Sequence, residues 1–219
     1  MNYRKNIKVF ILARKGSKRI KNKNLLKISG VPIVKKALLQ AIKIFSFSNV
    51  IISTDDERIL NISKLISKKL TIDHRPKYLS GDKVKSETVI KFLIKKYKIT
   101  DKLLLILQPT SPFRDKEDIK QMLKIFISNN LNTLHSANDY TIKKKINKKI
   151  IIFKSNENKV FDYSKKYSYN GAIYIFKKNY FIKKNSIYEK IPKIYLTKKK
   201  NSLDIDTIKD LKGLNYKLC

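Results

Sequence analysis

The chain has 219 residues, with 51 lysines and arginines against 17 aspartates and glutamates, which gives a formal net charge of +34. Hydrophobic residues make up 42% and aromatic residues 10%, enough for a sizeable core, which excludes a wholly disordered chain. The single cysteine, Cys219, excludes an intrachain disulfide framework and a cysteine metal site. A length of this order predicts one domain over residues 1–219.

No stretch of the sequence is typical of a membrane span or a secretory signal. The longest strongly apolar runs, such as residues 103–107, are far shorter than the roughly 18 residues that cross a bilayer. The apolar run at residues 9–13 is too short for a signal peptide and leads directly into Arg14 and Lys15. We therefore expect a cytoplasmic protein without a membrane segment.

The positive charge allows two interpretations. Cations bind nucleic acid by displacing counterions from its phosphate backbone, so a charged scaffold that binds nucleic acid without catalysis is one alternative. However, six of the basic residues are arginine and 45 are lysine, and the lysines are spread along every segment. We favour a coat of solvated lysines that reflects AT-rich codon usage, with no specific nucleic-acid partner.

The hydrophobic pattern predicts strands that alternate with helices. A near-continuous apolar run predicts a buried strand at residues 7–13, and apolar residues at helical spacing predict a helix from Pro32 to Phe45. The further predicted elements, in chain order, are a strand at 49–53, a helix burying Ile59, Leu60, Ile62, Leu65 and Ile66, a strand at 70–73, a helix from Ser86 to Tyr97, a strand at 103–107, a helix from Ile119 to Ile127, extended segments at 132–137, 172–176 and 194–197, and a short helix after Asp206. This order predicts a largely parallel sheet covered by helices on both faces, with ligands at the carboxyl ends of the strands.

The pattern changes between residues 141 and 169. This segment is rich in lysine and tyrosine and has short extended runs, such as residues 150–153, without a helical period. Because its apolar and aromatic residues would otherwise be exposed, we expect a β-rich insertion over approximately residues 138–170 that forms a subdomain or an oligomerisation arm.

The loop after the first predicted strand is a candidate anion site. Residues 14–24 combine Gly16 and Ser17 with several cations at a place where backbone amides can face a polyphosphate. The spacing matches neither the dinucleotide-binding glycine fingerprint nor the Walker A motif, so a solvated basic loop is the alternative. Its position at a strand end favours the functional interpretation.

The strand at residues 103–107 leads into a second candidate loop. Two prolines are predicted to fix this loop so that it exposes Gln108, Thr110, Ser111 and Arg114. The Gln108 amide can donate and accept hydrogen bonds at once, which suits a polyhydroxylated ligand. The alternative is a rigid turn in which Thr110 or Ser111 caps the next helix.

Asp204 and Asp206 are candidate metal ligands. They stand two residues apart, which places both carboxylates on one side of an extended segment. Mg²⁺ prefers such oxygen ligands together with substrate phosphates, although Asp206 could instead cap the final helix. His74 and His135 lack metal-ligand spacing and are assigned to structure.

In its motifs the chain resembles the CMP-sugar synthetases, the cytidylyltransferases that activate sialic acid and related nonulosonic acids such as legionaminic and pseudaminic acid. Four stretches carry the resemblance: residues 12–24 (LARKGSKRIKNKN), 53–56 (STDD), 107–114 (LQPTSPFR), and 170–175 (NGAIYI) followed by 204–207 (DIDT). They occur in the family's order and span nearly the whole chain.

The resemblance implies an α/β, Rossmann-like fold in which a mixed, mostly parallel sheet is flanked by helices, with a small β-rich dimerisation subdomain and a homodimeric active site. It also implies that CTP and an acidic nine-carbon sugar react, with Mg²⁺, to give a CMP-sugar and pyrophosphate. A Kdo-type or other sugar nucleotidyltransferase is the alternative within this architecture.

The resemblance also assigns roles to individual residues. Arg14, Lys23, Asp204 and Asp206 are the expected catalytic residues, and the two aspartates are the expected metal ligands. The expected CTP-binding residues are Leu12, Ala13, Arg14, Gly16, Ser17, Lys18, Lys23, Asn24, Arg75 and Ser86. The expected sugar-binding residues are Gln108, Asn170 and Tyr174, with Lys165 and Lys166 as candidates for binding the sugar carboxylate.

Overall fold

The architecture is that of a computed structural model, which describes residues 6–139, 151–154, 157–161, 167–198, 201 and 203–217. Lys165 and Lys166 lie outside the described residues. The strands are β1 (Ile7–Leu12), β2 (Lys27–Ile28), β3 (Val31–Pro32), β4 (Val50–Thr54), β5 (Thr71–His74), β6 (Leu103–Leu107), β7 (Thr133–Asp139), β8 (Ile151–Lys154), β9 (Glu157–Phe161), β10 (Tyr167–Lys177), β11 (Lys193–Leu196) and β12 (Tyr216–Lys217). The α-helices are α1 (Ile33–Ile44), α2 (Glu57–Ile66), α3 (Ser86–Lys96), α4 (Lys116–Ser128) and α5 (Lys178–Lys184).

In the described part of the chain, nine strands form one mixed sheet in the order β5-β4-β1-β6-β10-β7-β11-β8-β9. Strands β5, β4, β1 and β6 are mutually parallel, and so are β7, β11 and β8. Strand β10 runs antiparallel between these two groups, and β9 is antiparallel to β8. The predicted α/β fold with a mixed, mostly parallel sheet is therefore confirmed.

Hydrophobic clusters cover both faces of this sheet. On β1, Val9 and Ile11 pack into a cluster with α1, α2 and α4, whereas Phe10 packs into a second cluster with α3 and α5. Successive residues of a strand point to opposite faces, so a strand covered on both sides needs apolar residues throughout. This double burial explains the continuous apolar run that identifies β1 in the sequence.

One predicted core residue is wrong. Leu65 in α2 is 87% exposed, whereas Ile59, Leu60 and Ser63 of the same helix are buried. At about 100° per residue, Leu65 lies on the side of the helix opposite to Ile59 and Ser63. Its apolar side chain is therefore an isolated surface residue and does not extend the buried face.

Two structural features were not predicted from the sequence. Helix α5 has only seven residues, of which Phe181 is buried, so it shows no helical period. Strands β2, β3 and β12 form a separate three-stranded sheet in which β2 and β3 are joined by Ser29 and Gly30, both with positive φ. Positive φ at both central residues is typical of a tight hairpin turn, for which glycine is favoured.

The described part of the predicted insertion belongs to the main sheet, and its first and last residues lie in the inner strands β7 and β10. Strands β8 and β9 extend this sheet beyond β11. The assignment of residues 138–170 to a dimerisation subdomain stays a prediction, since part of this range lies outside the described residues. Across the residues that the structure describes, no helix has the length and apolar character that crossing a membrane requires.

Candidate active site

The carboxyl ends of β1, β5 and β6 meet at one edge of the sheet, because these strands belong to the same parallel group. Strand β10 runs in the opposite direction and pairs Ile173 with Leu107, which brings the start of β10 to the same edge. A cleft runs along this edge. Three adjoining cavities make up the cleft, and the structure brings most of the predicted site residues into them.

The central cavity has a volume of about 220 Å³ and adjoins the other two. It is lined by Leu12, Arg14, Gly16, Ser17, Lys23, Asn24, Arg75, Val84, Ser86, Val89, Ile106, Gln108, Pro109 and Thr110. Eight of the ten residues predicted to bind CTP are in this lining, together with Gln108. Of the other two, Lys18 lines the neighbouring cavity, and Ala13 is buried, with its backbone nitrogen donating to Ser53 O at 3.0 Å.

The first loop is fixed by hydrogen bonds to its own backbone and to the strand end beside it. Asn24 Nδ2 donates to Arg14 O at 2.9 Å, and the Lys15 backbone nitrogen donates to Asp55 Oδ1 at 2.7 Å. Ile20 and Leu26 anchor the loop in a small apolar cluster. These contacts hold the loop's cations at the strand end, as the phosphate-binding interpretation requires.

The cationic cavity, of about 320 Å³, is lined by Arg14, Ser17, Lys18, Arg19, Lys23, Asp82 and Asp206. Its cations are paired with two carboxylates. Asp82 pairs with Arg14 and, at 2.9 Å, with Lys18, while Asp206 pairs with Lys23 at 2.9 Å and with Arg19 at 3.1 Å. Hydrogen bonds from Lys18 and Arg14 hold the pKa of Asp82 below its usual value. Two carboxylates of the protein thus lie at the predicted polyphosphate site.

Substitution of Asp82 by Asn is expected to lower the KM for a nucleoside triphosphate. The Asp82 carboxylate competes with phosphate for Arg14 and Lys18. Because removing an exposed ion pair has a small effect, we expect the KM to fall about two- to fivefold. Steady-state kinetics at low salt measures the effect, which should shrink at high salt. Asp101→Asn, which removes a carboxylate 3.5 Å from Lys8, is the control. An unchanged or higher KM for Asp82→Asn would contradict the competition.

Asp204 lies at the junction of the second loop and β10. Its Oδ1 is buried and has no hydrogen-bond partner among the described residues. Burial raises the pKa of Asp204 to about 6, although a hydrogen bond from Thr110 acts in the opposite direction. Gly171 has φ +71°, and a Cβ at this position would lie 3.0 Å from Asp204 Oδ2. Glycine is therefore required both by the backbone conformation and by the approach of the carboxylate.

The donor set of Asp204 and Asp206 fits a Mg²⁺ ion that is also bound by phosphate. A buried carboxylate oxygen without a partner is a suitable ligand, and Asp206 lies in the cationic cavity. No group of three or more His, Cys, Asp or Glu residues that could hold a metal occurs among the described residues. The ion would therefore depend on substrate oxygens and water for its remaining ligands.

The alternative role of Asp206 as a helix cap is wrong. Thr207 is the N-cap of the short 3-10 helix Ile208–Leu211, where it forms a capping box with Asp210. The Asp206 side chain instead pairs with Lys23 and Arg19. It is half exposed and faces the cationic cavity.

The predicted exposure of the second loop is wrong for Thr110, Ser111 and Arg114, all of which are buried. Arg114 Nη1 donates to Gln108 O at 3.0 Å and to Ala172 O at 2.7 Å, which joins the end of β6 to β10. Burial lowers the pKa of Arg114 to about 9. Arg114 therefore fixes the loop from inside the protein, and its side chain is not available to a ligand in solvent.

The alternative role of Thr110 or Ser111 as the cap of the following helix is also wrong. Asp115 caps α4 by accepting a hydrogen bond from the Glu117 backbone nitrogen at 3.0 Å. Thr110 and Ser111 lie several residues before this N-cap, so neither of them caps the helix.

The aromatic cavity, of about 730 Å³, adjoins the central cavity on the side away from the cations. It is lined by Val84, Lys85, Ser86, Glu87, Thr88, Ile106, Gln108, Tyr174, Asn185, Ser186, Ile187 and Tyr188. Val84, Ser86, Ile106 and Gln108 line both cavities, so Gln108 stands at their junction. Tyr174, a predicted sugar-binding residue, is in the wall.

Asn170, another predicted sugar-binding residue, is engaged inside the protein. Its Nδ2 donates to Asn138 Oδ1 at 2.8 Å and to Thr197 Oγ1 at 2.7 Å, and its Oδ1 accepts from Ser136 Oγ at 2.5 Å. These bonds connect β7, β10 and the end of β11. They give Asn170 a structural role, and its contact with a sugar stays a prediction.

Behind Tyr174, His135 is buried in an aromatic cluster. Its ring centroid lies 5.3, 5.1 and 4.9 Å from those of Tyr169, Tyr174 and Tyr188. Burial lowers the pKa of His135 to about 3, while a hydrogen bond with the Ile187 backbone opposes the shift. Its location agrees with the structural role predicted for this histidine.

Acidification is expected to destabilise the protein through His135. Below its ordinary pKa of 6.5 the histidine takes up a proton only when the protein unfolds, so stability is lost as the pH falls. The contribution of this residue to the free energy of unfolding should fall with a slope that approaches about 1.4 kcal/mol per pH unit below pH 6.5. Urea titrations between pH 7 and pH 5 should show a shallower pH dependence of the unfolding free energy for His135→Phe than for the wild-type protein. Equal slopes for wild-type and His135→Phe would contradict this expectation.

Several residues of the cleft were not identified in the sequence. Asp82 occurs between Arg75 and Ser86, two residues that were identified, but its ion pairs join residues far apart in the chain. Lys85, Glu87 and Tyr188 belong to segments without a recognisable motif. The signal available for Lys85 and Glu87 was their position beside Ser86.

Comparison with known proteins identifies the family of the chain. The profile of the cytidylyltransferase family matches residues 8–216. The chain belongs to this family. The resemblance drawn from the four motifs is therefore confirmed, and the protein is a nucleotidyltransferase.

Three curated relatives of this cytidylyltransferase are named for different acidic sugars. It is 30% identical to an N-acylneuraminate cytidylyltransferase of Escherichia coli O18:K1:H7, over 93% of this chain and 50% of the relative. It is 28% identical to a pseudaminic acid cytidylyltransferase of Campylobacter jejuni serotype O:2, over 92% and 91% of the two chains. It is 26% identical to a CMP-N,N'-diacetyllegionaminic acid synthase of Legionella pneumophila, over 90% and 89%. The chain thus spans half of the first relative and most of the other two.

The fold is shared with solved nucleotidyltransferase structures. A CMP:2-keto-3-deoxy-manno-octonic acid synthetase complexed with CTP aligns with a TM-score of 0.67 at 14% identity, over 94% of this chain and 95% of the other. A 4-diphosphocytidyl-2C-methyl-D-erythritol synthase from Anaerococcus prevotii aligns with a TM-score of 0.62 at 14% identity, over 94% and 92%. At this identity the likeness concerns the fold alone.

Proposed function

We propose that this cytidylyltransferase transfers CMP from CTP to the anomeric hydroxyl of an acidic nine-carbon nonulosonic sugar and releases pyrophosphate. The observation that carries the proposal is one continuous cleft with a cationic cavity at one end and an aromatic cavity at the other. Gln108 lies where the aromatic cavity meets the central cavity. This arrangement suits a nucleotide with its β- and γ-phosphates in the cationic cavity and its α-phosphate in the central cavity, next to a sugar in the aromatic cavity. The names of the three relatives support the sugar class.

In the proposed reaction, the anomeric oxygen of the sugar forms a bond to the α-phosphorus of CTP and the hydroxyl releases its proton to water, while the bond from that phosphorus to the bridging oxygen breaks and pyrophosphate leaves. The chain contributes mainly position and charge, because little covalent chemistry is required of protein side chains in phosphoryl transfer. Arg14, Lys18 and Lys23 would exchange their internal carboxylate partners for phosphate oxygens. Gln108 would orient the sugar beside the α-phosphate.

Asp204 and Asp206 are the proposed ligands of Mg²⁺. Bound there, the ion supplies positive charge that offsets the charge building up on the phosphate oxygens. Release of Asp206 from Lys23 and Arg19 when those cations bind phosphate would free its carboxylate for this role. The buried Oδ1 of Asp204, which no described residue hydrogen-bonds, supports the assignment.

The resemblance to the CMP-sugar synthetases supports three further proposals. The enzyme acts as a homodimer, with residues 138–170 as its dimerisation subdomain. It works in the cytoplasm. Its product serves the synthesis of cell-surface polysaccharide.

Pyrophosphate release from CTP and Mg²⁺ tests the proposed function across N-acetylneuraminic, legionaminic and pseudaminic acids and Kdo, with the other nucleoside triphosphates as controls. We expect release with one nonulosonic acid and with CTP. Release with Kdo alone would support the other sugar class of this architecture. A salt-sensitive shift of DNA without turnover and without CTP binding would instead support the charged scaffold.

A further inference from the structure

A buried hydrogen-bonded chain of three residues lies behind the central cavity. Ser53 Oγ donates to Asp73 Oδ2 at 2.7 Å and accepts from Arg75 Nε at 3.0 Å. Arg75 Nη2 also donates to Ser53 O at 2.8 Å. All three residues are almost completely buried, although Arg75 contributes to the cavity lining.

The sheet register creates this arrangement. Strands β4 and β5 are parallel and pair Ser53 directly with Asp73. Arg75 follows the end of β5, and its backbone nitrogen donates to Thr54 O at 2.8 Å, which continues the pairing by one step. The arginine therefore leaves the sheet at the edge where the cleft is formed.

Helix α3 holds the far end of the chain. Lys96 Nζ donates to Asp73 Oδ1 at 2.7 Å, and the hydroxyl of Tyr97, which follows the helix, donates to the same oxygen at 3.1 Å. Both oxygens of the Asp73 carboxylate are thus engaged. A carboxylate with these partners is fixed in orientation and can fix the serine hydroxyl in turn.

These contacts fix the plane of the Arg75 guanidinium group. Two of its three nitrogens are hydrogen-bonded to Ser53, so its remaining donors have a defined direction. Burial lowers the pKa of Arg75 to about 10, and the charges of Asp55 and Asp73 counter that shift. Arg75 accordingly stays cationic at neutral pH.

We propose that Ser53 and Asp73 are positioning residues that fix the Arg75 guanidinium for CTP. The inference rests on the proposed function. Neither Ser53 nor Asp73 is in the lining of the central cavity, so both would act through Arg75. Burying a carboxylate, a hydroxyl and a guanidinium costs more than filling the same volume with apolar side chains, which argues against stability alone as the reason for this chain.

A double-mutant cycle tests the inference. The dissociation constant of CTP is measured by calorimetry, without sugar, for wild-type, Ser53→Ala, Arg75→Gln and the double variant. Ser53→Ala should weaken CTP binding by about tenfold, which corresponds to losing a hydrogen bond to a charged group. In the Arg75→Gln background the same substitution should change the affinity by less than about twofold, because residues that act through a shared partner are not additive.

A buried serine elsewhere provides the matched control. Ser63 in α2 is also fully buried, and its hydroxyl donates to Ile59 O at 2.8 Å, remote from Arg75 in the hydrogen-bond pattern. Ser63→Ala should leave CTP binding unchanged. In turnover, Ser53→Ala should raise the KM for CTP while leaving the KM for the sugar unchanged, a split that a loss of stability would not produce.

Asp73→Asn is the second variant, which keeps the shape of the side chain if Ser53→Ala fails to fold. It should also weaken CTP binding in the wild-type background and have no further effect in Arg75→Gln. Equal losses in both backgrounds, or wild-type affinity in Ser53→Ala, would overturn the inference while the proposed function stands. Failure of the wild-type protein to bind CTP would overturn the proposed function and the inference with it.

Discussion

Asp204→Asn is expected to lower turnover by at least about 100-fold at fixed Mg²⁺, the scale of losing one strong electrostatic interaction in a transition state. The substitution keeps the size of the side chain and an oxygen that can accept from Thr110, but it removes the charge of the proposed metal ligand. The expectation depends on Asp204 Oδ1, which is buried and has no hydrogen-bond partner among the residues that the structure describes.

The measurement is kcat at saturating CTP and sugar over a range of Mg²⁺ concentrations. Because burial disfavours the charged form of Asp204, the variant should unfold at the same temperature as wild-type or a higher one. Asp101→Asn, at the other end of the sheet, should retain wild-type turnover and Mg²⁺ dependence. Near-normal turnover of Asp204→Asn would remove this residue from the metal site.

Lys23→Met is expected to lower kcat/KM for CTP by about 100-fold, comparable to removal of one donor to a developing negative charge. Lys23 is mostly buried, lines both the central and the cationic cavity, and pairs with Asp206 at 2.9 Å. Methionine is of similar length but carries no charge. The loss therefore reports on the charge at this one position.

The control separates a specific site from the general positive charge. Lys64→Met changes the net charge by the same amount at an exposed position on α2, and it should leave kcat/KM within about twofold of wild-type at physiological salt. Similar small losses in both variants would mean that the overall charge of +34, and not Lys23, attracts CTP.

The elements predicted best from the sequence are those buried on both faces or along one clear helical stripe. Strand β1 is buried on both faces, and α4 buries Ile119, Met122, Leu123 and Phe126 at helical spacing. Helix α5 and strands β2, β3 and β12 are too short to show a period. Leu65 was wrongly predicted to be buried, because one apolar residue on the polar face of α2 has no sequence feature that distinguishes it from a core residue.

The candidate site also contains features that the sequence predicts and features that it does not. The loops at residues 14–24 and 108–114 could be placed because strand alternation puts both at one edge of the sheet. The burial of Arg114 could not be predicted, because arginine is ordinarily exposed and its two carbonyl partners come from distant segments. Asn170 likewise makes its hydrogen bonds to residues that only the folded sheet brings together.

The central claim is that the sugar, and not water, receives CMP in this cleft. Phosphorus NMR of CTP, Mg²⁺ and the acid selected by the pyrophosphate assay tests it most directly. The expected result is loss of the CTP resonances with one new phosphodiester signal of a CMP-sugar for each pyrophosphate formed. If the reaction gives pyrophosphate and free CMP but no phosphodiester, while the sugar substrate stays intact, the result would contradict the transfer and indicate hydrolysis of CTP.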